Sequence, residues 1–142
     1  MVKVLSVGGS IVVPNEPDTE FLTAFISMVK DWLKQDSARK LILVVGGGAP
    51  ARVYQNAYKK ITADEQNNSS DQADWIGIMA TRLNAQLLKA SFGSLCSQDV
   101  VYDPTAVEEF AGRILVAAGW KPGFSTDNDA VLLAERFAAK TV

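Results

Sequence analysis

Three short aliphatic runs mark the chain: Val2-Lys-Val-Leu-Ser-Val7, Leu41-Ile-Leu-Val-Val45 and Arg113-Ile-Leu-Val-Ala-Ala118. Runs this short, apolar without alternation and bounded by glycine, read as strands buried on both faces. Between them the period changes to that of a helix. From Asp18 to about Lys34, Phe21, Leu22, Phe25, Ile26, Val29, Trp32 and Leu33 recur at i, i+1, i+4, i+5 spacing behind an Asp18 or Thr19 cap. These aromatics share one face with aliphatics, so they read as core rather than as a platform for a base. After the polar loop 35–39, residues 1–45 make a βαβ unit, and its crossover should be right-handed. A helix then runs to about Lys60, the polar stretch 62–71 reads as a mobile surface loop, and a helix over roughly 71–91 follows Ser69 or Ser70 as cap. In that helix Trp75, Ile76, Ile78, Met79, Leu83, Leu87 and Leu88 form a stripe wider than one contact needs, which predicts burial on several sides or packing on a second copy. A short strand at 98–103, a short helix over Pro104 to Phe110, the strand 113–118 and a helix over 127–138 complete the alternation, an α/β pattern.

Each principal strand ends in a turn with candidate chemistry. In a parallel sheet these turns lie together at the carboxyl ends of the strands, where open α/β sheets bind ligands. Gly46-Gly47-Gly48 lets the backbone turn sharply, and Pro50 suits the first turn of the helix that follows. Free N–H groups and the positive end of the helix dipole there favour phosphate, and Arg52 adds a forked donor one turn in. Gly9 and Ser10, after the first strand, offer N–H groups and a hydroxyl to the same kind of anion. Ser125, Thr126 and Asp127 suit a sugar or phosphate. The plainer reading, tight turns and helix caps without ligand, stays open for each. Asp74, placed in the first turn of its helix, either stabilises the dipole or points at a ligand; Arg82 reads as a structural or subunit contact.

Composition narrows the chemistry. The chain has 142 residues, 48% hydrophobic and 21% charged, as in one ordinary globular domain. A net charge of -2 gives no basic footprint for nucleic acid or an anionic membrane. No run is long enough to span a bilayer and the N-terminus lacks a signal-peptide pattern, so the expectation is a cytoplasmic protein. The single cysteine, Cys96, excludes an internal disulfide and multi-cysteine zinc sites. There is no histidine, which removes Ser-His-Asp and Cys-His relays and the H-E-x-x-H metal site. Phosphoryl transfer survives, because its transition state relies on positioning, N–H donors, cations and magnesium rather than on a strong base.

The segments 6–14 (Ser-Val-Gly-Gly-Ser-Ile-Val-Val-Pro), 46–52 (Gly-Gly-Gly-Ala-Pro-Ala-Arg), 73–85 (Ala-Asp-Trp-Ile-Gly-Ile-Met-Ala-Thr-Arg-Leu-Asn-Ala) and 119–127 (Gly-Trp-Lys-Pro-Gly-Phe-Ser-Thr-Asp) together resemble the amino-acid kinase superfamily, most closely the archaeal-type uridylate (UMP) kinases. The resemblance implies a three-layer αβα sandwich with a mainly parallel sheet, and transfer of the ATP γ-phosphoryl group to UMP with magnesium, no protein metal ligand being assigned. It implies that Gly9, Ser10, Gly48 and Arg52 face the ATP phosphates, with Arg52 and Ser10 the catalytic candidates. It further implies that Gly47, Asp74, Trp120, Lys121, Pro122, Gly123, Phe124, Ser125 and Thr126 hold UMP, with Asp74 on the ribose hydroxyls. It also implies a homo-oligomer, dimer or hexamer, through helix 71–91.

Two departures accompany the likeness. Many members carry a lysine two residues before the first glycine turn, where this chain has Ser6, so Arg52 or Lys3 would have to supply that charge. The family's second half, which binds adenine and ribose, is absent, so residues 1–142 are expected to be one domain, the acceptor-nucleotide lobe, lacking a C-terminal part. Other acceptors, small carboxylates or isopentenyl phosphate, are the alternatives within the family, and a non-catalytic nucleotide-binding lobe is another. Gly46-x-Gly48-x-x-Ala51 also matches a dinucleotide fingerprint, but its acidic candidates Asp64 and Glu65 follow a helix, not the second strand that reading needs.

Overall fold

The computed structural model describes residues 1–64 and 69–142. Its centre is a parallel sheet in the order β1 (Val2–Val7), β2 (Lys40–Val45), β3 (Ile114–Ala117), in register Val4 to Ile42 to Leu115. Single parallel bridges continue it at both edges, Thr141 beside Lys3 and Val101 beside Ala117. Every residue of β2 except Lys40 is buried, as an unalternating aliphatic run demands. Leu41, Leu43 and Val45 pack with α2 (Thr19–Lys34) and α4 (Ser70–Phe92), while Ile42 and Val44 pack with Ala130, Leu133 and Ala134 of α5 (Thr126–Arg136). Helices therefore cover both faces, giving the expected αβα layers.

The helix starts follow their caps. Asp18 Oδ1 accepts from Phe21 N at 3.0 Å, Ser69 Oγ from Gln72 N at 3.1 Å and Ser125 Oγ from Asn128 N at 3.1 Å. Each satisfies an N–H without an intrahelical partner, typically about 1 kcal/mol per cap. The third helix, α3 (Gly48–Ile61), begins at the glycine turn itself and packs on α4.

Several local expectations are corrected. A one-turn helix, α1 (Gly9–Val12), follows Gly8, whose carbonyl accepts from Ile11 N and Val12 N at 3.1 and 3.2 Å; the turn drives Val12 and Val13 into the core. The strand expected at 98–103 shrinks to the bridge at Val101. No helix forms over Pro104 to Phe110. Asp103 Oδ1 instead takes Thr105 N at 2.8 Å and Thr105 Oγ1 at 2.6 Å, an Asx turn that competes with helix. The Gln98 side chain then donates to Glu109 O and accepts from Ala111 N at 2.8 and 2.6 Å, occupying backbone groups a helix would use. Part of the loop expected over 62–71 lies outside the described residues. Among those residues no helix is long and apolar enough to cross a membrane.

Candidate functional site

The parallel sheet brings the turns after β1, β2 and β3 to one end. The first two are in backbone contact. A Cβ on Gly9 would stand 2.6 Å from Gly47 N, and one on Gly46 2.7 Å from Gly9 N. At Gly48 φ is +65°, and a Cβ there would collide with the Gly9 carbonyl. Glycine is thus required for turn-to-turn packing. Ser10 Oγ accepts from Arg52 Nη1 at 3.1 Å, so the two catalytic candidates meet above this contact. Lys3 does not join them: its ammonium lies 5.5 Å from the Trp32 ring, near the start of β1 rather than its end.

Helix α4 fastens the turns from within. Asn84 Nδ2 donates to Gly46 O and Gly47 O at 2.9 and 3.0 Å. Thr81 Oγ1 accepts from Gly119 N at 2.8 Å, and Arg82 Nη2 donates to Trp120 O at 3.1 Å while its guanidinium lies 4.1 Å from the Tyr102 ring. The structural reading of Arg82 holds.

Between α4 and the turn after β3 lies a cleft of about 320 Å³. Asp74 lines it, facing Lys121, Pro122, Gly123, Phe124, Ser125 and Thr126, with Gln55, Gly77, Ile78 and Thr81 in its floor and walls. Six of the seven residues expected in the 120–126 loop therefore share one cavity with Asp74. Trp120 instead packs beside Phe124, ring centroids 4.6 Å apart, with the Lys121 ammonium 4.2 Å from the indole. Gly47 is also outside the lining, between α3 and α4, where a Cβ would stand 2.7 Å from Ala51 Cβ of α3 and 3.4 Å from Gly77 O of α4. Asp74 is not in the first turn, since α4 begins at Ser70 and Asp71 is the acid there, so the dipole role falls to Asp71. A larger groove of about 710 Å³ between α2 and α4 includes none of the three turns.

Gln55 and Gly77 escaped the sequence reading, although a glycine inside an apolar helix is a signal of close approach. A Cβ on Gly77 would stand 2.6 Å from Gln55 Nε2, which donates to Ala73 O at 2.9 Å and so ties α3 to α4 at the cleft.

Two carboxylates of α5 complete the neighbourhood. Ser6 Oγ donates to Asp127 Oδ1 at 2.8 Å, linking the end of β1 to the start of α5. Asp129 is 1% exposed and neither carboxylate oxygen closes a hydrogen bond. Burial pushes its carboxyl up to about 6 from the ordinary 3.8, against the pull of the Trp120 backbone N–H.

The sequence model of the Amino acid kinase family matches residues 1–142. The chain belongs to that family. It is 37% identical over 138 residues to the uridylate kinase of Thermococcus kodakarensis, covering 96% of this chain and 58% of that relative. With the uridylate kinase of Methanoculleus marisnigri the identity is 36% over 138 residues, 96% of this chain and 55% of the relative. The crystal structure of uridylate kinase from Archaeoglobus fulgidus superposes with a TM-score of 0.79 at 36% identity, over 98% of this chain and 60% of that one. The chain thus spans little more than half the length of these kinases. The glycine turns, α4 and the turn after β3 belong to the shared family fold.

Proposed function

We propose that residues 1–142 act as one domain, the acceptor-nucleotide lobe of a uridylate kinase. In this reading UMP occupies the cleft between α4 and residues 119–126, with its phosphate directed at the glycine turns. A UMP phosphate oxygen attacks the γ-phosphorus of ATP, and the bond to the ADP oxygen breaks, leaving UDP and ADP. Magnesium enters with ATP as its counter-ion, so it is substrate rather than resident cofactor.

The observation that carries the reading is the meeting of Asp74 with residues 121–126 in one cleft. Asp74 is suited to accept from the ribose hydroxyls, and the loop supplies apolar surface for a base. Gly47, which packs behind the cleft, shapes it by letting α3 and α4 approach. Gly9, Ser10, Gly48 and Arg52 offer N–H groups, a hydroxyl and a fixed cation to the phosphates of ATP. The uridylate kinase relatives support UMP as acceptor.

Calorimetry with UMP, a small carboxylate and isopentenyl phosphate tests the acceptor; the expected result is binding of UMP alone. Binding of a different acceptor in its place would overturn the assignment. With labelled ATP, turnover should fall well below the usual kinase range of about 1–100 per second, because residues 1–142 span little more than half the length of the kinases they resemble. One observation favours a second reading, a lobe that binds nucleotide without turnover: Ser6 offers a hydroxyl, bonded to Asp127, where many members of the superfamily have a lysine. Phosphoryl transfer by this chain joined to a complete ATP half separates the two.

A further inference from the structure

The cleft face of α4 is built from Asp74, Gly77, Ile78 and Thr81, at i, i+3, i+4 and i+7. One of these positions has no side chain of its own. At Gly77 the space is filled from α3: a Cβ there would stand 2.6 Å from Gln55 Nε2 and 3.4 Å from Gln55 Cδ. The Gln55 amide therefore stands where a side chain one turn after Asp74 would, and Gln55 and Asp74 line the same cleft. Chemistry fixes how the amide is turned. The Ala73 carbonyl accepts from it at 2.9 Å, and only the nitrogen end of an amide can donate. The other end, Oε1, has no hydrogen-bond partner among the described residues, and it is not sealed from solvent. Gln55 thus offers a held acceptor beside the Asp74 carboxylate.

We propose that Gln55 is a specificity-determining residue: its Oε1 accepts from one of the two vicinal hydroxyls of the ribose, while Asp74 accepts from the other. Two acceptors one helical turn apart suit a vicinal diol, which presents two donors on adjacent carbons. A site that hydrogen-bonds a hydroxyl rejects the analogue lacking it, because its own polar group is then left unpaired against the ligand. Gln55 thereby makes the cleft prefer a ribonucleotide to its deoxy counterpart. The proposal rests on the acceptor reading, which supplies UMP as the occupant.

The test is calorimetry with UMP and its 2′-deoxy and 3′-deoxy analogues on wild type, Gln55→Met and Gln55→Ala, with melting temperatures as the control for folding. Wild type should bind each analogue about tenfold more weakly than UMP, the worth of one hydrogen bond. In both variants UMP affinity should fall, and the preference for UMP over one of the two analogues should vanish. The preference over the other analogue, read by Asp74, should persist. If Gln55 serves only to tie α3 to α4, the variants lose affinity for all three nucleotides alike and keep both preferences; that result overturns the proposal. Equal binding of all three by wild type also overturns it, and leaves UMP as the acceptor. No binding of UMP by wild type removes the acceptor reading and the proposal together.

Discussion

At the scale of single residues, burial and proximity divide the acids of the site into different roles. Asp129 has its pKa raised, so its contribution to stability has a definite sign. Below about 3.8 it is protonated folded or unfolded, and no charge is buried. As pH rises from there towards 6, the unfolded chain ionises while the folded one resists, and the native state loses stability until the penalty is complete above 6. Asp129→Asn does not titrate, so its stability relative to wild type should rise between pH 4 and 6, by about 1–3 kcal/mol, and stay level above 7. Urea unfolding of both proteins at pH 4.5 and 7.5 reads this directly; an equal difference at both pH values contradicts it. Asp74 is exposed and lines the cleft, so Asp74→Asn should lower UMP affinity without changing the melting temperature of the free protein. A lower melting temperature with unchanged affinity would return Asp74 to a helix-stabilising role. Arg52→Ala leaves Ser10 Oγ without its donor but disturbs no core, and should weaken ATP binding by about 1.5–3 kcal/mol; equal affinity in calorimetry would remove Arg52 from the phosphate site.

At the scale of elements, what the sequence revealed and what it hid have different physical origins. The strands and α2, α4 and α5 were legible because their burial is periodic: β2 is aliphatic throughout and lies between two helical layers, and Asp18, Ser69 and Ser125 cap where cap residues precede apolar stripes. The meeting of the turns followed from one inference, that the sheet is parallel. What stayed hidden depends on contacts between distant residues. The segment 104–110 has no helix because Gln98 binds Glu109 and Ala111, a pairing that no local pattern announces. Gln55 enters the cleft only because Gly77 lets α3 lie close to α4, and Asp129 is buried only because the start of α5 turns that face towards the sheet. The glycine turns were legible as turns, but their mutual contact was not. It predicts that Gly9→Ala destabilises the fold itself, since the added methyl meets backbone, which cannot give way as a flexible side chain can. Overpacking of this kind costs about 1–3 kcal/mol. A fall in melting temperature without ligand is the expected reading; a loss of nucleotide binding at unchanged stability would mean the glycine serves the ligand alone.

At the scale of the whole molecule, one face of the α3–α4 pair has none of the described residues over it. Met79 and Leu83 of α4 are 53% and 68% exposed, and Val53 and Tyr54 of α3 are 64% and 68% exposed. Tyr54, Met79 and Leu83 line a shallow hollow of about 320 Å³ with Pro50, Ile76 and Ala80. Meanwhile the opposite side of α4, through Ala85, Leu88 and Phe92, is spent on the core, and Asn84, Thr81 and Arg82 are spent on the turns. The stripe read from the sequence is therefore two faces: one buried within the chain, the other exposed and apolar. An exposed apolar surface of this kind normally marks a partner site, and two copies of the same hollow can meet about a two-fold axis with each Leu83 facing the other's apolar wall. The chain should accordingly show concentration-dependent mass in light scattering, at least to a dimer. Leu83→Glu should abolish the association, because burying an unpaired carboxylate at the contact costs more than a lone leucine contributes. The same variant should keep its melting temperature at low concentration and its affinity for UMP, since Leu83 lines the hollow and not the cleft. A wild-type chain that stays monomeric at every concentration tested would remove the dimer.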